Sequence, residues 1–331
     1  MKNMKIKKDM IESAVKALLG ITDLKPEEEV VVTTSKKRRD VGSAFFEAAK
    51  TLGANAKIYF LPEKNRPLKT VPKDIPFGAD LFINAFESFA EETPFRIELI
   101  KAEVGKESRL IHGPGITLDM LRKGGPIDID YADAQKRATR LIDAFKEARS
   151  AKITTPAGTD VTLEIERRGF SNDLKITKGH WGNIPAGEIW CGPIEDKANG
   201  KVVCDGSIGD FGFPPSNVEI QVEDGKISKL LCKDTDFQKK LMKALTVDKM
   251  ASQIGELGIG LNPNAKITGN LLEDEKAGQT VHLAFGHNLD MMGGKNSSCT
   301  HRDFLMREPN LTVKYQNGEE RVIMKRGEIL V

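Results

Sequence analysis

Short apolar runs alternate with helical patterns through the first third of the chain, and this alternation most constrains the fold. Strand patterns occur at 29–34, 57–61, 79–86 and 109–112, and helical patterns occur between them at 41–52 and 94–103. Strand–helix–strand units build parallel sheets with right-handed crossovers. We therefore predict an N-terminal α/β domain with a parallel sheet, ending after an amphipathic helix near residue 149.

The pattern changes after this helix. Residues 152–165 are two alternating strands around a Pro-Ala-Gly turn, which is typical of a β-hairpin. Short strands with glycine-containing turns continue to the end, and one helix near 237–243 interrupts them. We predict two domains: an α/β domain at 1–149 and a mainly antiparallel β domain (α+β) at 150–331.

Charge and composition exclude several classes of protein. The formal net charge of the 331 residues is +2, and charges of both signs are interspersed, so we expect no nucleic-acid partner. The basic run 35–39 is typical of a solvated loop. Residues 1–20 lack a continuous apolar stretch, and no apolar run approaches the roughly 20 residues that span a bilayer. We expect a cytoplasmic protein without a membrane partner.

Four of the five histidines lie in the β-rich half. His301 and Asp303 are two residues apart, and in a strand such residues point to the same face. An imidazole and a carboxylate aimed into one space suit a divalent metal ion. An exposed salt-bridged pair would have the same spacing, so this motif alone leaves both interpretations open.

Three further residues strengthen the metal hypothesis. His282 lies in an otherwise apolar strand, where it is either a ligand or a hydrogen-bonded core histidine. Glu188 and Glu256 are each flanked by apolar residues and glycines, with no basic neighbour in sequence. A buried ionised carboxylate costs several kcal/mol unless it is paired or binds metal. Either glutamate could instead be exposed on a turn, but together with His282 and the H-x-D motif they favour a metal site in this half.

These segments, in this order, resemble the aminopeptidase S/aminopeptidase T family of metallopeptidases. The similar segments are Gly158-Thr159-Asp160, Asn183 to Glu188, Glu256 to Asn262, Glu273 to Lys276, Gly278 to His282, and Gly293 to Ser298 followed by His301 and Asp303. They span about 158–303, and the first half of the chain carries no comparable motif.

The resemblance implies a metal-dependent aminopeptidase that releases N-terminal residues from short peptides. It implies metal ligation by Glu188, Glu256, His282, His301 and Asp303, with Glu188, Glu256 and His282 as the catalytic residues. A bridging carboxylate would hold a water between two divalent metal ions and lower the pKa of that water. Zinc is the default for histidine and carboxylate ligands, with cobalt and manganese as alternatives. The resemblance also implies a homodimer.

Two other hypotheses stay open. His282, His301 and Asp303 would also form the two-histidine, one-carboxylate triad of a mononuclear non-haem Fe(II) enzyme, as in the distantly similar dihydroxypyridine dioxygenases. Glu188 and Glu256 favour the dinuclear hydrolase over this ring-cleaving dioxygenase. The peptidase family has a tyrosine shortly after the first histidine, and residues 285–289 contain none. A catalytically silent metal-binding homologue is therefore the third hypothesis.

Overall fold

The computed structural model describes residues 6–64, 66–105 and 107–331. The chain forms two compact units, and each contains more than one stretch of sequence. The first unit comprises residues up to Gln135, Asp173–Ala186 and Asn262–Ala265, and the second comprises Lys136–Asn172, Gly187–Leu261 and Lys266–Val331. The division of the chain after residue 149 stays a prediction.

A parallel sheet forms the first unit, in the strand order β2-β1-β3-β4-β8. Its strands are β1 (Glu29–Thr34), β2 (Asn55–Phe60), β3 (Leu81–Ala85), β4 (Arg109–His112) and β8 (Trp181–Asn183). The helices in the first half of the chain are α1 (Lys8–Ala17), α2 (Arg39–Thr51), α3 (Thr93–Glu103) and α4 (Tyr131–Ala144). The predicted α/β fold is confirmed, and β8 joins this sheet although it lies well beyond residue 149.

The local sequence explains these elements. Strand β1 is rich in β-branched residues and lies between β2 and β3, so five of its six residues are buried. Helix α2 buries Val41, Phe45, Ala48 and Ala49, whose spacing places them on one face of the helix.

Two antiparallel sheets form the second unit, as predicted. The larger has the order β12-β11-β10-β6-β5-β16-β17-β18. Its strands are β5 (Ala148–Thr154), β6 (Asp160–Glu164), β10 (Ala198–Cys204), β11 (Val218–Glu223), β12 (Lys226–Leu231), β16 (Asn310–Tyr315), β17 (Glu320–Lys325) and β18 (Glu328–Ile329). Strands β5 and β6 are the predicted hairpin.

The smaller antiparallel sheet, with the order β15-β14-β13-β9-β7, carries the candidate site. Its strands are β7 (Ser171–Asn172), β9 (Glu188–Cys191), β13 (Ile254–Gly260), β14 (Thr280–Gly286) and β15 (His301–Arg307). Two helices complete this half, α5 (Thr235–Ala244) and the short α6 (Leu271–Asp274). Over the described ranges, every helix is too short or too polar to cross a membrane.

Candidate metal centre

Four adjacent strands of the smaller sheet bring the five predicted site residues to one face. Glu256 and Asp303 both pair with Ala284 in the register, so their side chains share a face with a methyl group between them. Because side chains alternate along a strand, His282 and His301 point to that same face. Glu188 joins them because it pairs with Gly260, four residues after Glu256.

Two glycines of β13 leave room for groups that approach this strand closely. A Cβ atom added at Gly258, the cross-strand partner of His282, would lie 1.9 Å from Nε2 of that imidazole. A Cβ atom at Gly260 would lie 2.0 Å from the carbonyl oxygen of Ala277. At both positions the missing side chain allows neighbouring groups to approach the strand closely.

Glu256 is the centre of the arrangement and faces a histidine with each carboxylate oxygen. Its Oε2 lies 2.9 Å from Nε2 of His301, and its Oε1 lies 3.4 Å from Nε2 of His282. Asp303 Oδ1 lies 3.6 Å from Nε2 of His301, whereas Glu188 Oε2 lies 3.5 Å from Nε2 of His282.

The donors therefore fall into two sets that share Glu256. The His301 donor set comprises Glu256 Oε2, His301 Nε2 and Asp303 Oδ1, and each of these residues offers a ligand atom within 4.8 Å of the others. The His282 donor set comprises Glu256 Oε1, His282 Nε2 and Glu188 Oε2.

The electrostatics of the site favour positive charge. Burial by itself lowers the pKa of an imidazole, but Glu256 and Glu188 raise the pKa of His282 to about 9. Burial likewise opposes charge on His301, yet Asp303 and Glu256 hold its pKa well above the usual range. Burial raises the pKa of Glu256, but the two imidazoles outweigh this effect and hold it well below its ordinary value. These shifts arise because the imidazolium and carboxylate groups stabilise each other's charged forms at this buried face.

The orientation of His301 is fixed from outside the donor set. Its Nδ1 lies 2.7 Å from the carbonyl oxygen of His287. Because a carbonyl can only accept, Nδ1 carries a proton, so Nε2 is the atom that would bind a metal ion once the imidazole is neutral. The segment between His287 and His301 is held by Glu195, whose Oε1 accepts from Asn288 Nδ2 at 3.1 Å and from the backbone of Lys295 at 2.8 Å.

A buried lysine lies beside the His282 donor set. The Lys276 ammonium donates to Oε1 of Glu188 and, at 2.7 Å, to Oε1 of Glu275. Lys276 has no exposed surface, and the Glu275 side chain is 15% exposed. Burial raises the pKa of Glu275 despite the neighbouring ammonium.

The structure brings together all five residues that the sequence predicts as ligands, while their metal-binding role stays a prediction. Sequence patterns did not place Glu188 and Glu256 in strands, because their glycine neighbours are typical of turns. Asn296, in the segment that Glu195 holds, donates from Nδ2 to the backbone carbonyl of Ile254. The sequence carries no signal for the role of Glu195, since the two residues that it holds in this segment, Asn288 and Lys295, follow it by 93 and 100 positions.

Residues 126–329, more than half of the chain, match the Thermophilic metalloprotease (M29) family. The chain belongs to this family. The resemblance that the sequence motifs indicate is thereby confirmed.

This M29 protein is also similar to a 2,5-dihydroxypyridine 5,6-dioxygenase of Pseudomonas putida, with 23% identity over 219 residues. The aligned stretch covers 60% of this chain and 59% of that dioxygenase.

Two solved structures share the fold of this M29 protein. The structure of 2,5-dihydroxypyridine dioxygenase from Pseudomonas putida has a TM-score of 0.74 at 19% identity, covering 98% of this chain and 99% of that chain. Wild-type AmpT from Thermus thermophilus has a TM-score of 0.72 at 16% identity, with the same coverage. Because the identities are low, these likenesses show the fold alone.

Proposed function

We propose that this chain is a metal-dependent aminopeptidase that releases N-terminal residues from short peptides at a dinuclear metal centre. The observation that carries the proposal is the position of Glu256, which offers one carboxylate oxygen to each of two histidine-containing donor sets. A carboxylate in this position is suited to bridge two cations. Membership of the M29 family supports the same conclusion.

The ligand atoms of the His301 donor set lie close enough together to hold one divalent cation, and the His282 donor set places an imidazole against two carboxylates. Glu256, His301 and Asp303 would hold the first ion, and Glu256, His282 and Glu188 would hold the second. Three protein donors per ion leave room for water and substrate. We propose zinc as the native metal, with cobalt or manganese as alternatives. When bound, such ions polarise a carbonyl and lower the pKa of a water ligand towards about 7.

The burial of the site residues fixes their positions and indicates the side from which the substrate enters. Glu188, Glu256 and His282 are the proposed catalytic residues, and all three are buried, so their positions are held by packing. His301 is 31% exposed in its side chain, against 1% for His282. We infer that the substrate approaches the centre from the side on which His301 lies.

Glu275 is the proposed site of proton transfer. It faces Lys276 at the edge of the centre, outside both donor sets, and it keeps a partly exposed side chain. Since burial raises its pKa, Glu275 is better suited than an exposed glutamate to hold a proton and give it to a leaving amine.

A free N-terminal amine would be able to bind one of the two cations, whereas an acetylated amine would not, and this would account for selectivity for unblocked peptides. We further propose a homodimer in the cytoplasm.

A second candidate function is ring cleavage by a mononuclear non-haem Fe(II) centre. The sequence similarity to the Pseudomonas putida dioxygenase is the observation that favours it. In that case His282, His301 and Asp303 would hold one iron, and Glu188 and Glu256 would have no ligand role.

The deciding experiment is a paired assay on one preparation. The protein loaded with Zn²⁺ or Co²⁺ is offered leucyl-p-nitroanilide, short free peptides and the same peptides with N-acetyl groups, and the protein loaded with Fe²⁺ is offered 2,5-dihydroxypyridine in air. We expect cleavage of free peptides, none of acetylated peptides, and no loss of the pyridine. Equal cleavage of free and acetylated peptides, or oxygen-dependent loss of the pyridine, would contradict the aminopeptidase.

A further inference from the structure

The two donor sets differ in whether a basic side chain contacts one of their carboxylates. In the His282 donor set, Oε1 of Glu188 accepts from the Lys276 ammonium while Oε2 faces His282. In the His301 donor set, neither Glu256 nor Asp303 contacts a lysine or arginine among the residues that the structure describes. A fixed positive charge therefore adjoins only the His282 donor set.

This ammonium is enclosed with the carboxylates that it contacts. Lys276 has no exposed surface, and it donates to Glu188 and, at 2.7 Å, to Glu275. It follows the short helix α6, and its backbone nitrogen donates to the carbonyl of Glu273 at 3.0 Å, so the position of the residue is set by local structure. The two carboxylates that it contacts therefore keep this ammonium next to Glu188.

Two physical consequences follow for a metal ion in the His282 donor set. One oxygen of Glu188 is engaged, so this carboxylate offers a single oxygen to the ion. The ammonium also repels the ion, since a like charge within about 4–6 Å shifts the affinity for a cation by tenfold or more, as it does for a proton. The His301 donor set has neither disadvantage.

We propose that Lys276 sets the order in which the two metal positions fill. The His301 donor set binds its ion first and tightly, and the His282 donor set binds second and more weakly because of the ammonium on Glu188. This inference rests on the proposed dinuclear centre, but it does not depend on which reaction the centre catalyses. Lys276 therefore acts through Glu188 to weaken binding of the second ion, which makes that ion exchangeable.

The test is a metal titration of four proteins: wild type, K276M, K276R and the surface control K229M. Lys229 is exposed on β12, so its loss leaves the centre unchanged. Each protein is freed of metal with a chelator and titrated with Co²⁺, and binding is followed by visible absorbance and calorimetry. We expect two steps in the wild type, K276R and K229M. In K276M we expect the second dissociation constant to fall about tenfold or more, with the first unchanged.

A second measurement tests the same idea through stability. Without Lys276, Glu188 and Glu275 lose a buried cationic partner, so the metal-free K276M protein should unfold at a lower temperature and gain more from Co²⁺ than the wild type. If K276M does not fold without metal, wild type and K276M are purified with Zn²⁺, and release of the second ion to a chromogenic chelator is timed. Slower release from K276M is the expected result.

Each contrary result of these experiments would rule out a different part of the proposal. Equal second dissociation constants in wild type and K276M, or loss of the second ion from K276M, would overturn the role of Lys276. A single bound ion in both proteins at saturating Co²⁺ would overturn the dinuclear centre as well. A normal titration combined with no peptide cleavage would reject only the aminopeptidase activity.

Discussion

Gly258 lies directly beneath the imidazole of His282, and a methyl group at residue 258 would lie 1.9 Å from Nε2. Neither residue can change without affecting the other, because they are cross-strand partners in adjacent buried strands. A glycine thus determines where a proposed metal ligand can lie.

We expect G258A to displace His282 and destabilise the protein by about 1–3 kcal/mol through overpacking. The matched control is a double-mutant cycle with H282A, which removes the ring that the methyl group would meet. In the H282A background the G258A change should cost little, as measured by urea unfolding. Equal costs in both backgrounds would mean that the contact between residues 258 and 282 is unimportant.

Glu195 should fix the position of His301 without contacting it. It pairs with Arg168 at 2.8 Å and holds the segment that leads to His301, and both partners of the pair are nearly buried. We expect E195A to cost about 3 kcal/mol, since it leaves a buried charge unpaired, and to speed amide hydrogen exchange in residues 288–296. The exposed Glu223 provides the control substitution, E223A. Unchanged exchange in E195A would reject the anchoring role.

The histidines predict a pH dependence for the metal-free protein. The pKa of His282 is raised to about 9, mainly by Glu256 and Glu188 against the effect of burial. A raised imidazole pKa contributes stability that is complete below the unfolded value of about 6.5 and is lost as the pH rises through 9. Urea unfolding with a chelator present should therefore show a loss on the order of 3 kcal/mol over this window.

The H282A variant is the control for this pH dependence. It should lose less stability over the same pH range, because the titrating imidazole is gone. A wild-type free energy of unfolding that is constant between pH 6.5 and 9 would contradict the coupling between His282 and its carboxylate neighbours.

The first unit has a separate pH dependence that arises from Glu103. Burial raises the pKa of Glu103 to about 8, although Asn84 Nδ2 donates to its Oε2 at 2.7 Å. The folded state then retains a proton that the unfolded state releases, so stability is greatest below about pH 4.5 and falls until about pH 8.

An E103Q variant carries an uncharged amide in place of the protonated acid. It should lose this pH dependence and be more stable than the wild type at pH 8 by a few kcal/mol, roughly the value of the pKa shift. Fluorescence of Trp181, in a W190F background, reports the first unit. An E103Q protein that is less stable than the wild type at pH 8 would indicate that Glu103 is ionised when folded.

Much of the fold follows from local sequence patterns. The predicted strand at 29–34 coincides with β1, and the strand at 109–112 coincides with β4, because each is a short apolar run with clear ends. Strand β13 was not predicted, since three glycines in Ile254–Gly260 are more typical of a turn. The structure shows why a strand contains them: Gly258 and Gly260 leave space for His282 and for the backbone at Ala277.

The residues of the candidate site could be predicted, but their grouping could not. The H-x-D spacing indicates a shared face for His301 and Asp303 because strand periodicity is local. The division into two donor sets depends on the register between strands, and the contact of Lys276 with Glu188 joins residues 88 positions apart. Such contacts arise from tertiary packing, which no local pattern encodes.

The central claim is that the two donor sets share Glu256, and counting metal ions per chain tests it most directly. The proteins are saturated with Co²⁺, freed of excess metal and analysed by elemental mass spectrometry, with E223Q as the surface control. We predict two ions in the wild type and E223Q, one in D303N, one in E188Q and close to none in E256A. One ion retained by E256A with the same occupancy as in D303N would show that the two positions do not share this carboxylate, and the account of the centre would be wrong.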